Sequence, residues 1–291
     1  MSDKFIDLHV HSNYSDGTKT LNYIYDSCIE NNVNVLALAE HYNLSSYRKF
    51  RKLSKNTIEV VPATELSASL LNYGLSKRHV CHIIAYYPTS KIYSLLDSYE
   101  LSRDKCVKKT LEMLQKEGVN ITYTKVCKVA RDKKSIGRFD IAISLAHLGY
   151  SKTPVEAYEK FFDEKSPVYV DREKMCVKDL IQNILLIGGV PVLAHPKTLR
   201  LNNSDFEGFI SELKAFGLKG MEVYNPHNND EQREFFNDIC NSYELIATVG
   251  SDYHGRSGDN IEIGLGIDNN LKISDYSIVE KLKKEKHKLY E

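Results

Sequence analysis

Histidines, aspartates and glutamates recur along this 291-residue chain wherever a short apolar segment ends. Two pairs are separated by a single residue: His9 with His11, and Asp252 with His254. Side chains two residues apart in an extended segment point to the same side, so each pair can present two groups to one point. Imidazoles mixed with carboxylates are typical ligands of Zn, Mn or Fe.

Six imidazoles and three carboxylates make up the candidate metal site. They are His9, His11, Asp16, His41, Glu65, His82, His195, Asp252 and His254. One ion takes about four to six ligands, so nine are too many for one ion. We predict two or three divalent ions (Mn, Fe or Zn), two of them bridged by a carboxylate. A lone His-x-His or Ala-His-Pro would be weak evidence, and the prediction depends on the recurrence along the chain.

The elements that would position these residues are apolar strands alternating with amphipathic helices. Strands are predicted at 5–10, 33–39, 59–63, 82–86, 190–194, 219–224 and 245–250. Repeated β-α units predict a parallel sheet, open or closed into a barrel. In both architectures function gathers at the carboxyl ends of the strands. The candidate ligands occur there, except that His82 begins its strand.

Residues 98–170 interrupt this rhythm with helical patterns. Val107, Leu111 and Leu114 form one apolar stripe, and Ile141, Leu145 and Leu148 form another. Spacings of three and four residues are typical of a helix packed on one face. We therefore predict a barrel in two parts, 1–97 and 171–291, separated by a helical insertion.

Composition limits the partners. Lys and Arg number 39, as do Asp and Glu, so the formal net charge is zero and general attraction of long nucleic acid is not expected. No apolar run approaches the roughly 20 residues that span a membrane, and the N-terminal residues lack the apolar core of a signal peptide. The six cysteines form no C-x-x-C pair, which favours reduced thiols and a cytoplasmic location.

The ordered motifs resemble the PHP domain (polymerase and histidinol phosphatase), a family of metal-dependent phosphoesterases. They are His9-Val10-His11, Ser15-Asp16-Gly17, His41, Glu65, His82, Ala194-His195-Pro196 and Gly250-Ser251-Asp252-Tyr253-His254-Gly255. Segments 136–142, 149–150, 157–158, 167–170 and 188–190 are most similar to the branch of nucleoside 3′,5′-bisphosphate phosphatases and 5′-3′ exoribonucleases. The resemblance implies an α/β fold, a distorted (β/α)7 barrel, with the helical insertion capping the active site.

The resemblance also divides the ligands. It implies one ion on His9, His11, Glu65 and Asp252, a second on Glu65, His82 and His195, and a third on Asp16, His41 and His254. Three places depart from the pattern: Glu40 stands where the family usually has Asp, Tyr42-Asn43 replaces a more usual acidic continuation, and Asp140 stands where the branch typically has a His that contacts phosphate. A negative Asp140 would repel phosphate, whereas the preceding Arg138 would attract it.

We predict a phosphoesterase acting on phosphate esters of nucleotides, such as 3′,5′-bisphosphates, or on 5′-phosphorylated short oligonucleotides, with hydroxide on the metals attacking phosphorus. The predicted catalytic residues are Asp16, His195, His254 and Arg138, and the predicted substrate-binding residues are Arg138, Arg172, Asn225 and His227. Three alternatives stay open: a phosphatase for another small phosphomonoester such as histidinol phosphate, a metal-dependent amidohydrolase, and a non-catalytic metal-binding module.

Overall fold

The computed structural model describes residues 4–75, 79–130, 136–163 and 165–288, with side chains up to residue 286. The chain divides into two compact units. The barrel unit consists of Met1–Tyr93 and Met175–Glu291, and the insertion unit consists of Ser94–Lys174. Each is described by itself below.

Seven strands of the barrel unit form one sheet in chain order. They are Phe5–Val10 (β1), Val33–Leu38 (β2), Glu59–Ala68 (β3), Cys81–Tyr86 (β4), Val190–Leu193 (β5), Gly220–Tyr224 (β6) and Ile246–Val249 (β7). Neighbouring strands pair in parallel within β1–β3 and within β5–β7. The sheet is therefore built mainly from the repeated units that the sequence predicts.

The prediction of a wholly parallel sheet is wrong at β4, which pairs antiparallel with both β3 and β5. A parallel return needs a crossover of a dozen or more residues, usually containing an α-helix. In the described part of the β3–β4 connection there is only a short 3-10 turn at Leu71–Tyr73. Because β4 is antiparallel to its neighbours, its first residues lie at the rim of the barrel where the other strands end. This explains why His82 lies at the start of its strand while the other predicted ligands lie in the later part of a strand or after it.

The sheet closes on itself through the residues that follow β7. Tyr253 forms a parallel bridge with Val10. The Asp252 N–H donates to the His9 carbonyl at 2.8 Å, and the His11 N–H donates to the Tyr253 carbonyl at 2.9 Å. The first strand and the end of the last are thus joined at the rim, and the predicted distorted (β/α)7 barrel is confirmed.

Helices cover the outside of this sheet and build the insertion unit. Those in the described residues are Leu21–Glu30 (α1), Ser45–Ser54 (α2), Ile92–Lys116 (α3), Tyr123–Val129 (α4), Arg138–His147 (α5), Pro154–Phe162 (α6), Val177–Leu186 (α7), Asn203–Phe216 (α8), Asp230–Ser242 (α9) and Ser277–Lys288 (α10). None of them is long and apolar enough to cross a membrane. The sequence pattern missed α2, whose residues are mostly polar.

The insertion unit has an apolar cluster of its own. Leu114 of α3 and both Ile141 and Leu145 of α5 are fully buried in it. Leu148, which the sequence placed on the same stripe, instead follows the end of α5 and is 38% exposed. Burial of several large aliphatic side chains, each contributing about 1.5–3 kcal/mol, stabilises this unit.

Candidate metal centre

All nine predicted ligands lie at one rim of the barrel. His9 and His11 lie at the end of β1, Glu65 lies in the second half of β3, and the others occupy the segments that follow β1, β2, β5 and β7 or the start of β4. Their donor atoms form three overlapping groups: His9, His11 and Asp252; His41, Glu65 and His82; and His11, Asp16, His41 and His254. His195 joins the second group through Glu65.

The first group has the spacing of atoms that share one ion. His9 Nε2 lies 3.1 Å from His11 Nε2 and 3.4 Å from both Glu65 Oε2 and Asp252 Oδ1. His11 Nε2 lies 3.3 Å from the same two oxygens. In a regular tetrahedron with metal–ligand bonds of about 2.0–2.1 Å, ligands are about 3.3 Å apart. These four residues therefore fit a tetrahedral divalent ion.

Glu65 links the first group to the second. Its Oε1 lies 2.9 Å from His82 Nδ1 and 2.9 Å from His195 Nε2, and these two nitrogens are 3.2 Å apart. Its Oε2 faces the first group and also lies 3.2 Å from His41 Nδ1. That buried nitrogen has no hydrogen-bond partner among the described residues. The carboxylate thus presents Oε1 to His82 and His195 and Oε2 to His9, His11 and His41, so that each oxygen faces a separate set of nitrogens, as in a bridging ligand.

The donor atoms of the third group lie farther apart than those of the first two groups, and they lie nearer to solvent. Asp16 Oδ1 is 3.2 Å from His254 Nε2, 3.6 Å from His11 Nδ1 and 3.9 Å from His41 Nε2. Its other oxygen accepts a 2.7 Å hydrogen bond from Arg256, which the sequence analysis did not single out. The side chain of Asp16 is 42% exposed, whereas those of His9 and His11 are 0% exposed. The cluster thus has a buried end and an open end.

Opposite charges compensate one another inside the cluster. Burial disfavours a charged His11, but the Asp252 and Glu65 carboxylates outweigh burial and raise its pKa to about 10. Burial likewise opposes ionisation of Glu65, but His82, His41 and His9 outweigh it and hold the pKa of Glu65 well below its usual range. Divalent ions would supply the same compensation, because protons and metal ions compete for the same nitrogens. The donor set fits the predicted cations in charge as well as in distance.

The backbone at the rim is held in uncommon conformations. His195 has a φ of 26° and Asp252 a φ of 54°, both in the positive region that few residues other than Gly adopt. Such strain persists where the surroundings fix it, often at functional sites. Gly250 lets the strands approach, because a Cβ there would lie 2.2 Å from the Cβ of His9.

Hydrogen bonds from the outer ring nitrogens aim two of the histidines inward. His254 Nδ1 donates to the Asp252 carbonyl at 2.7 Å. His195 Nδ1 lies 3.0 Å from the Thr198 hydroxyl, whose single proton is shared between the Val80 and His195 carbonyl oxygens, so that the hydroxyl oxygen accepts from the ring. Each Nε2 is left with the lone pair that a metal ligand needs.

Buried acids support the ligands from outside the cluster. Asp7 accepts the N–H groups of Ser251 at 2.9 Å and Gly264 at 2.8 Å, and burial raises its pKa to about 6. Glu40 accepts hydrogen bonds from the Ser12 and Ser15 hydroxyls. It thereby fixes the loop that leads from His11 to Asp16.

Glu222 is a buried acid of the same kind to which the sequence analysis gave no role. It lies on β6, is 1% exposed and contacts His9 at 2.9 Å. The sequence did carry a signal for this role, namely an acid in the middle of an apolar strand. Acids are almost never fully buried unless they are paired, so such a residue is expected to have a partner.

The predicted substrate-binding residues lie in two places. In the barrel unit, Asn225 is buried and donates to Glu222 at 3.0 Å, whereas His227 is exposed. In the insertion unit, Arg138 donates to the Val170 carbonyl and stacks on the Tyr169 ring at 4.8 Å.

Arg172, the remaining predicted substrate-binding residue, donates to the Tyr99 carbonyl at 2.9 Å within the insertion unit. Asp140 accepts the Gly137 N–H at 2.8 Å at the start of α5. Asp140 therefore has a helix-capping role that needs no substrate.

Several known proteins are similar over nearly the whole chain. The 5′-3′ exoribonuclease of Haemophilus influenzae is 26% identical over 269 residues, 92% of this chain and 96% of that protein. The phosphoribosyl 1,2-cyclic phosphate 1,2-diphosphodiesterase of Eggerthella lenta is 24% identical over 263 residues, covering 90% and 98%. The 3′,5′-nucleoside bisphosphate phosphatase of Chromobacterium violaceum is also 24% identical over 263 residues, covering 89% and 90%.

The fold has solved counterparts as well. A crystal structure of a protein assigned as a metal-dependent phosphoesterase from Bifidobacterium adolescentis superposes with a TM-score of 0.73 at 25% identity, covering 97% of this chain and 96% of that one. The sequence profile of the PHP domain matches residues 7–223, which include the ligands from β1 to His195. The chain therefore belongs to the PHP-domain family.

Proposed function

We propose that this protein is a metal-dependent phosphoesterase that hydrolyses phosphate esters of nucleotides, either 3′,5′-bisphosphates or 5′-phosphorylated short oligonucleotides. The observation that carries the proposal is the Glu65 carboxylate, which presents one oxygen to each of two groups of imidazole nitrogens at 2.9–3.4 Å. The names of the three relatives all describe enzymes acting on phosphate esters, which supports the reaction class.

Divalent ions bound here would supply an activated water at neutral pH and neutralise charge that builds on the phosphoryl oxygens. The chain's own part is to hold the ligands in place and control access. His9, His11 and Glu65 form the buried end, where a low dielectric strengthens every electrostatic interaction. Asp16 lies at the open end, where a substrate phosphate can approach from solvent.

Phosphate binding by Arg138 and Arg172 stays a prediction. A guanidinium carries five N–H donors in a planar fork that matches phosphate. The contact of Arg138 with Val170 uses one terminal nitrogen, and stacking on Tyr169 fixes the plane of the group. A planar donor held in this way favours recognition of a phosphate over a neutral group. The capping role of the insertion also stays a prediction.

The test is product analysis with Mn²⁺ on adenosine 3′,5′-bisphosphate and, separately, on a short 5′-phosphorylated RNA. His195→Ala serves as the blank, because it removes a donor facing Glu65. We expect AMP or stepwise mononucleotides from the wild type and none from the blank. Activity that survives thorough chelation would overturn metal dependence. No turnover of either substrate, with metal bound near stoichiometrically, would reject nucleotides and favour another phosphomonoester such as histidinol phosphate.

A further inference from the structure

Glu222 occupies a position between two of the ligand groups without belonging to either. It lies on β6, between β5, which leads into His195, and β7, which leads into Asp252. One of its oxygens, Oε2, accepts from His9 Nδ1 at 2.9 Å and also from the backbone N–H of His195 at 3.0 Å. The other oxygen, Oε1, accepts from the Asn225 side-chain amide at 3.0 Å.

The bond to His9 determines which of its nitrogens faces the first group. Oε2 already accepts an N–H from His195, so it acts as an acceptor toward the His9 ring as well. Nδ1 of His9 therefore carries the proton, and Nε2 keeps its lone pair toward His11, Glu65 and Asp252. A carboxylate behind a ligating imidazole fixes the ring orientation and raises its basicity.

The bond to His195 acts on the second group through the backbone. His195 has φ 26° and ψ 64°, outside the regions that an L-residue favours. A conformation of this kind is unfavourable by itself and needs support from its surroundings. Glu222 supplies that support at the N–H of the residue itself, while the His195 ring reaches Glu65 Oε1 at 2.9 Å.

From these contacts we infer that Glu222 is a positioning residue shared by two metal sites, so that the His9 site and the His195 site depend on one carboxylate that binds no ion. The inference rests on the metal-dependent function proposed above. Asn225 completes the arrangement by holding the second oxygen of Glu222. Asn225 thereby gains a role different from its predicted contact with substrate.

The test is metal binding without substrate, so that a wrong substrate proposal cannot affect it. Chelator-stripped full-length protein would be titrated with Zn²⁺ or Mn²⁺ by calorimetry, as wild type, as Glu222→Gln and as the control Glu231→Gln. Gln keeps the volume of the side chain but loses the charge and one acceptor oxygen. Glu231 is an exposed acid in the first turn of α9 and is not one of the predicted ligands.

We expect E222Q to weaken binding at two sites together, each by about 10–100-fold, with the control unchanged. A purely structural role would lower the stability of the stripped protein and leave metal affinity as in the wild type, which would overturn the inference. Weakening at one site alone would overturn the shared role. If E222Q does not fold, Asn225→Ala serves instead, because it removes the hydrogen bond to Oε1 of the same carboxylate. Wild-type metal affinity in that variant would overturn the inference.

Discussion

Glu65→Gln should remove at least one metal ion from the protein. The carboxylate places Oε1 2.9 Å from both His82 Nδ1 and His195 Nε2, and Oε2 3.2–3.4 Å from the nitrogens of the other groups. An amide has one ligand oxygen, and its NH₂ group can only donate hydrogen bonds. Whichever way the amide turns, one group loses the oxygen that Glu65 supplies and faces hydrogens that repel a cation.

The size of the effect follows from binding linkage. A site occupied at a metal concentration 100 times its Kd stabilises the folded state by about 2.7 kcal/mol. Loss of one ion should therefore lower the unfolding free energy of the loaded protein by about that amount. Elemental analysis should show about one ion fewer per chain. Phosphoesterase activity should fall by at least about a hundredfold, in line with the loss of a group that stabilises developing charge.

The assay is urea unfolding of wild type and variant, each with metal and with chelator, beside elemental analysis. Glu59→Gln is the matched control, because Glu59 begins the same strand but is 46% exposed and pairs with Lys283 at the surface. The control should keep full metal content and change stability by less than about 1 kcal/mol. An E65Q protein with wild-type metal content and full metal-induced stabilisation would refute the bridging role.

Further predictions concern packing, capping and the thiols. Gly250→Ala should lower the free energy of unfolding by about 1–3 kcal/mol, because the added Cβ would lie 2.2 Å from the Cβ of His9 on β1. Gly208→Ala in α8 adds a Cβ in open space, so it should leave the free energy of unfolding unchanged or raise it. Urea unfolding of both variants checks this. Asp140→Ala should lower the free energy of unfolding by about 1 kcal/mol, because the hydrogen bond from the Gly137 N–H at the start of α5 is lost. An unchanged melting curve would contradict this. Thiol titration of the native protein should detect the two partly exposed cysteines, Cys127 and Cys176, before the other four react on unfolding.

The sequence predicted most of the strand positions, and it named the nine residues that the structure gathers at one rim of the barrel. Its signals were local: the two-residue spacing of His9 and His11, and polar groups at the ends of apolar runs. Those patterns survive folding because a strand fixes the side on which its residues point, whatever its neighbours are. The residue types, imidazoles mixed with carboxylates, then indicated a metal site. The capping role of Asp140 could not be predicted in this way, since it depends on the position of the Gly137 N–H and not on residue type alone.

The tertiary structure decided how these residues combine. Strand direction depends on long-range pairing, so only the fold could show that β4 runs backwards and brings His82 to the common rim. Which oxygen of Glu65 faces which group depends on distances between residues up to 130 positions apart in the chain. The role of Glu222 arises because three strands meet around one buried carboxylate. Residue types and spacing thus indicated the chemistry of the site, and long-range packing determined which donor atoms lie together.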